Sequence, residues 1–181
     1  MSLELDVLRD VCERLEKAEI PYMLTGSFAT HAYVVPRMTR DIDLVIELKD
    51  EDVPRFSGSF GGDYYCDADM VKDAVRGRSM FNLIHQEALV KVDFVVRKDS
   101  TYRELEFKRR RRSNIAGIPV WVVSPEDLVL SKLYWARDSL SEMQLRDVSL
   151  LLKGVKDLDH DYIREWVDKL NLEAVWKRLP V

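Results

Sequence analysis

Three aspartates in this chain stand where they could share a divalent cation. Asp41 and Asp43 lie two apart in Arg40-Asp41-Ile42-Asp43-Leu44, and Asp93 lies in Val92-Asp93-Phe94. Residues 41–48 alternate, with Ile42, Leu44, Ile46 and Leu48 set against Asp41, Asp43 and Glu47. That period predicts a strand with both aspartates on one face and an apolar, buried face behind them. Residues 88–97 repeat the pattern: Val90, Val92, Phe94 and Val96 share one face, and Lys91, Asp93, Val95 and Arg97 the other. If the two strands are neighbours, three carboxylates converge on one polar patch. Unpaired carboxylates at such range repel and raise each other's pKa. A divalent cation removes the conflict. Mg²⁺ prefers carboxylate oxygen, water and substrate phosphate, and two Mg²⁺ ions about 3.5–4 Å apart are the usual arrangement for transfer at phosphorus.

A second group of residues suits a phosphate. Gly26-Ser27 follows the short apolar run Tyr22-Met23-Leu24-Thr25, and 13 residues separate it from Asp41. Glycine lets a backbone approach a phosphate closely, and a helix begun by Ser27 as N-cap would aim free N–H groups at it. Arg37 and Arg40 flank the approach to Asp41, and the guanidinium fork matches a triphosphate; a solvated loop is the alternative for both. Lys132 falls on the apolar stripe of Leu128, Val129, Leu133 and Ala136, so it either snorkels to the edge or reaches into a cleft. Arg146-Asp147 could be an exposed pair or part of the same wall. The run Arg109-Arg110-Arg111-Arg112 could track an RNA backbone or be a solvated loop or helix end. Tyr64, Tyr65, Trp121 and Trp135 fit core packing better than base stacking. His31, His85 and His160 show no ligand spacing.

These residues need a scaffold, and the pattern supplies one. Strands are expected at 22–25, 41–48, 80–85, 88–97 and 118–123. Helices are expected at 3–18, 28–35, 50–57, 68–76 and 101–112. Ser124-Pro125-Glu126-Asp127 opens a further helix by its cap, its proline and its acidic first turn. From there the pattern is helical, over 125–137, 142–153, 159–169 and 171–178. The fold class is α/β (α+β), a small mixed sheet flanked by helices. A core over 1–123 is followed by a helical portion over 124–181.

Composition narrows the setting. The 181 residues include 46% hydrophobic and 33% charged residues, an ordinary globular balance. There is no apolar run of membrane-spanning length and no signal-peptide layout at the N-terminus. Two cysteines, Cys12 and Cys66, make neither a disulfide framework nor a cysteine-rich zinc site, so a reducing, cytoplasmic setting is expected. The net charge of −4 is uneven: residues 1–100 carry 13 Lys and Arg against 19 Asp and Glu, and residues 101–181 carry 15 against 13. Bound Mg²⁺ would reverse the local sign around the acids, so the balance says little about a polyanionic partner.

Leu24-Thr25-Gly26-Ser27, Asp41-Ile42-Asp43-Leu44 and Val92-Asp93-Phe94, in that order, resemble the signature of the DNA polymerase β-like nucleotidyltransferase superfamily. The resemblance implies that Gly26 and Ser27 contact nucleotide phosphates and that Asp41, Asp43 and Asp93 bind two Mg²⁺ ions. Ser124-Pro125-Glu126-Asp127-Leu128, Lys132-Leu133, Ala136-Arg137 and Arg146-Asp147-Val148 are similar to the AbiEii-type abortive-infection toxin nucleotidyltransferases. That likeness spans about residues 20–155 and implies a role in activity for Lys132 and for Asp147. Several of those toxins have Gly-Gly where this chain has Gly26-Ser27.

The expectation is therefore a Mg²⁺-dependent nucleotidyltransferase with an NTP such as ATP as substrate. It passes a nucleoside monophosphate to an acceptor hydroxyl and releases pyrophosphate. Asp41, Asp43, Asp93 and Lys132 are the expected catalytic residues, the three aspartates hold the metals, and Gly26, Ser27, Arg37, Arg40 and Lys132 hold the nucleotide. A tRNA or other RNA acceptor and a cognate antitoxin go with the toxin likeness, and no membrane partner is expected. The alternatives are an adenylyltransferase acting on a small molecule or partner protein, and an inactive binding module.

Overall fold

The structure is a computed structural model, which describes residues 2–35, 39–139 and 141–180. In chain order the elements are α1 (Leu3–Lys17), β1 (Tyr22–Thr25), a 3-10 turn (Phe28–Ala32), β2 (Ile42–Ile46), a second 3-10 turn (Asp50–Asp52) running into α2 (Val53–Ser59), β3 (Tyr64–Tyr65), α3 (Ala68–Gly77), β4 (Met80–His85) and β5 (Val90–Val96). Then come α4 (Thr101–Lys108), β6 (Arg111–Ile115), β7 (Ile118–Val122), α5 (Pro125–Ser139), α6 (Glu142–Gly154), α7 (His160–Lys169) and α8 (Glu173–Trp176).

The strands form one mixed sheet in the order β3-β4-β5-β2-β1-β7-β6. β2 runs parallel to β5 and β1 parallel to β7, while the remaining neighbours are antiparallel. The alternation of the sequence decides which face is buried. Ile42, Leu44, Ile46, Val92, Phe94, Phe81 and Leu83 point to one side and are buried. Phe56 of α2 and Phe60, at its C-cap, pack there edge-on to Phe94, which stacks on Phe81 at 5.3 Å between ring centroids. Each such ring contributes roughly 1.5–3 kcal/mol by leaving water. The opposite face is covered unevenly: Met23 is fully buried, Val45 and Val95 are half-buried, and Met80 and Ile84 are exposed.

Two expectations about elements need correction. The helix expected over 101–112 ends at Lys108, and the rest of the arginine run enters β6. Its hairpin to β7 is closed by Ala116 and Gly117, both at positive φ (51° and 85°), a pairing of conformations that suits a tight two-residue hairpin. Arg111-Arg112-Ser113-Asn114 carries no alternating apolar signal, because β6 is an edge strand with little to bury. The helix expected over 28–35 is a five-residue 3-10 turn, and Ser27 is already helical in φ and ψ with no capping bond from its side chain. Gly26, at φ 65°, makes the turn one residue earlier, so Ser27 sits at the cap position without the extended backbone that a capping side chain uses.

The arginine run is also absorbed by the fold. Arg109 Nε lies 3.0 Å from Asp127 Oδ2 and Nη2 lies 3.1 Å from Glu126 Oε2, with its guanidinium 4.0 Å from the Tyr162 ring centre. Arg111 meets Glu126 at 3.5 Å, Arg112 pairs with Glu16, and Arg110 stacks on Phe107 at 4.2 Å. Tyr162 Oη donates to Asp127 Oδ1 at 2.8 Å and Ser124 Oγ donates to Asp127 Oδ2 at 2.6 Å. This network ties the end of α4 to the starts of α5 and α7. Arg109→Ala removes a cation from two acids exposed by 2% or less, so it should destabilise the protein by about 2–3 kcal/mol in urea denaturation. An unchanged midpoint would mean that the hydroxyl donors suffice.

Beyond β7, α5 forms a buried spine. Leu128, Val129, Leu130, Leu133 and Ala136 are wholly buried, and α6, α7 and α8 pack around the helix.

Candidate active site

β1 and β2 run antiparallel with Thr25 opposite Asp43, and β2 and β5 run parallel with Asp43 opposite Asp93. One transverse row across the half-open face therefore reads Thr25, Asp43, Asp93 and, on β4, Asn82. The neighbouring strands required for the carboxylates to meet are thus present. Asp43 is half-buried and Asp93 is 7% exposed. Asp41 precedes β2 and is exposed, at the rim of the pair.

The electrostatics follow from that placement. Asp43 is pushed up to about 6, first by burial, then by the charges of Asp93 and Asp41, while Lys132 and Lys91 pull it down. Two half-sequestered carboxylates on adjacent strands are a conflict that a divalent cation relieves. Among the described residues no three His, Cys, Asp or Glu side chains converge as a ready-made ligand shell. Mg²⁺ suits such a site, since it keeps waters and takes one or two protein carboxylates together with substrate phosphates. The donor set at Asp43 and Asp93, all hard oxygen, fits it.

Gly26 shapes the floor of this row. A Cβ placed on it would overlap the Asp43 carboxylate, 2.7 Å from Cγ and 2.9 Å from Cβ, and its φ of 65° disfavours any side chain. Gly26→Ala is expected to push Asp43 out of register, lowering NTP transfer at least tenfold at a stability cost of about 1–2 kcal/mol. Transfer assays with a parallel thermal melt would check this, and wild-type activity would refute the need for the close approach. Ser27 follows directly, at the start of the 3-10 turn.

Lys132 is 2% exposed and does not snorkel. Its Nζ donates to Asp147 Oδ2 at 2.7 Å and to Gln144 Oε1 at 3.2 Å, joining α5 to α6. Its charge reaches Asp43. Arg146 and Asp147, adjacent in sequence, part company: Asp147 is buried and Arg146 is exposed beside Glu142. Arg40 stands at the rim, its side chain 89% exposed and 4.0 Å from Glu4. Arg37 lies outside the described residues. The structure thus brings Gly26, Asp43 and Asp93 together, with Lys132 acting on Asp43 only through its charge and Asp41 and Arg40 at the margin. The reading by residue type passed over Lys91, whose Nζ is 2.8 Å from Asp93 Oδ2, and Gln144. The i, i+2 spacing of Lys91 and Asp93 on a strand was the available signal. Tyr65 and Trp135, expected in the core, are 60% and 61% exposed, since β3 is a two-residue edge and Trp135 leaves the outer side of α5.

No family model matches the chain. No curated protein matches it by sequence. Solved structures do match it by shape. ANT(2″)-Ia in complex with adenylyl-2″-tobramycin superposes with a TM-score of 0.60 at 16% identity, covering 99% of this chain and 100% of that one. The lincosamide antibiotic adenylyltransferase LnuA, lincomycin-bound, gives 0.54 at 17% identity over 83% of this chain and 96% of that one. A protein from Thermotoga maritima assigned as a nucleotidyltransferase without an established activity gives 0.52 at 20% identity over 77% of this chain and 88% of that one. With its mixed seven-stranded sheet, its carboxylates on paired strands and these likenesses, the chain has the nucleotidyltransferase fold.

Proposed function

We propose that this chain is a Mg²⁺-dependent nucleotidyltransferase that moves a nucleoside monophosphate from an NTP to an acceptor hydroxyl. The acceptor oxygen bonds to the α-phosphorus, the bond from that phosphorus to the α,β-bridging oxygen breaks, and pyrophosphate leaves. The observation that carries this reading is the in-register pair of Asp43 and Asp93, set against the side-chain-free turn at Gly26. Mg²⁺ ions bound there, two in the full form of the reading, would neutralise phosphate charge and make the α-phosphorus electrophilic. Asp43 and Asp93 hold them, with Asp41 joining from the rim. The backbone at Gly26 and Ser27 cradles the phosphates, and the Lys132 charge steadies them from α5. Arg40, at the rim, contacts the triphosphate, and the same role is proposed for Arg37 from its sequence position alone. Asp93 accepts the acceptor's hydroxyl proton on a carboxylate oxygen. Catalysis then rests on positioning and electrostatics. Residues 1–123 carry the metal and phosphate groups, and 124–181 form the wall that supplies Lys132.

The acceptor favoured by these observations is a small hydroxyl-bearing molecule of the antibiotic type. The arginines of the run are paired with acids or rings of the fold, Arg111 and Arg112 while remaining exposed on β6. Two of the structures alike in fold, ANT(2″)-Ia and LnuA, are an antibiotic-resistance factor and an antibiotic adenylyltransferase. A second reading keeps tRNA as acceptor, a cognate antitoxin and a cytoplasmic setting; the buried Lys132–Asp147 pair supports it, by likeness to the Lys and Asp of the AbiEii-type toxins. Each α-³²P-labelled NTP incubated with aminoglycosides, lincosamides, tRNA and protein would separate them. Label on an antibiotic is the expected result, label on tRNA selects the second reading, and no Mg²⁺-dependent label or NTP binding selects an inactive binding module.

A further inference from the structure

Lys91 has no part in the steps above, yet it stands among all three carboxylates. It lies two residues before Asp93 on β5, so both side chains leave the same face of the sheet. Its Nζ is 2.8 Å from Asp93 Oδ2, and its charge interacts with Asp41 and Asp43 as well. The two partners differ in freedom. The Asp93 side chain is 9% exposed and anchored in a central strand, while that of Lys91 is 47% exposed. An ammonium on a four-carbon stem has several rotatable bonds and solvent to move into. A half-exposed ion pair of this kind is weak, so a stronger cation can displace it.

We propose that Lys91 is the resident counter-ion of the carboxylate pair: its ammonium occupies the Asp93 oxygen that a divalent cation would use, and loading that position requires the lysine to swing outward. The proposal rests on the carboxylates being the metal ligands, as read above. It assigns Lys91 a positioning role through Asp93. While Lys91 is in place, Asp93 is neutralised without metal and a bare divalent cation competes poorly for it. A cation that arrives with nucleotide phosphates in its shell gains extra ligands and wins. Nucleotide loading thereby favours metal loading, by the modest margin of one such ion pair.

The test is Mn²⁺ binding to the nucleotide-free protein, followed by the electron paramagnetic resonance signal of free Mn²⁺ at pH 7.5 and low salt. Lys91→Met and Lys91→Gln should bind Mn²⁺ roughly fivefold more tightly than wild type, the scale of one half-exposed ion pair, and Lys91→Arg should match wild type. Either neutral variant suffices if the other folds poorly. Affinity in the neutral variants equal to or weaker than wild type, or no Mn²⁺ binding in them at all, overturns the proposal. Asp43→Asn in each background separates it from its premise. Binding that needs Asp43 but ignores Lys91 defeats the counter-ion role alone. Binding indifferent to Asp43 defeats the metal-site reading and the proposal with it.

Discussion

Replacing Asp43 by asparagine is expected to lower nucleotide transfer about a thousandfold or more and, in the absence of metal, to make the protein more stable. The two effects share one cause. Asp43 is held beside Asp93 and near Asp41, and its pKa is pushed up to about 6 from the ordinary carboxylate value of 3.8. A carboxyl whose folded value is raised contributes stability below its unfolded value, and that contribution is lost as pH rises through the folded one. At pH 7.5 the native state therefore carries the Asp43 charge at a cost, about 2 kcal/mol after allowance for its partial exposure. Asparagine keeps the shape against Gly26 and removes the charge. The melting temperature of the metal-free variant should rise by roughly 4–8 °C at pH 7.5 and stay near wild type at pH 4. Mg²⁺ with NTP should narrow the gap by stabilising wild type only. A lower melting temperature at pH 7.5, or retained transfer, would contradict the carboxylate account.

The second large effect concerns the pair of Lys132 and Asp147, whose side chains are 2% and 6% exposed. Lys132→Met withdraws the lysine from a buried carboxylate, and Asp147→Leu withdraws the carboxylate from a buried ammonium. Each single change should destabilise by about 3 kcal/mol or more. The double variant, with two apolar side chains of suitable volume, should recover most of that loss, because a buried ion pair contributes little beyond what its desolvation costs. Transfer should behave differently. If Lys132 steadies phosphate charge, the double variant stays at least a hundredfold down in transfer despite its restored fold. Urea denaturation read alongside transfer checks this, and an active double variant would make the pair purely structural.

Much of this site was legible in the residues because strands carry their orientation in period 2. Asp43 and Asp93 each follow and precede wholly buried neighbours, so their shared face could be read before the strands were known to be adjacent. Adjacency itself, and the parallel register that sets Asp43 opposite Asp93, arises from pairing across some 50 residues and leaves no local trace. β3 and β6 were hidden for a related reason: two residues and a run of arginines at the sheet's edges bury too little to show a pattern. Ser27 misled because a serine before a helix-like run is a good cap in general, whereas Gly26 had already turned the chain. The two readings of Lys132 assumed that its charge stays near water or a ligand. A buried partner fifteen residues away on the next helix is decided by packing, and the residues alone left Arg146-Asp147 as either an exposed pair or part of the same wall.

Parallel incubations with α-³²P- and γ-³²P-labelled NTP, using wild type and Asp43→Asn with Mg²⁺ and the acceptor panel, show which phosphorus is transferred and whether Asp43 is needed. The expected result is α-label on the acceptor, γ-label only in pyrophosphate, and neither with Asp43→Asn. Label from the γ-position on an acceptor, or α-label transferred equally well by Asp43→Asn, would contradict it.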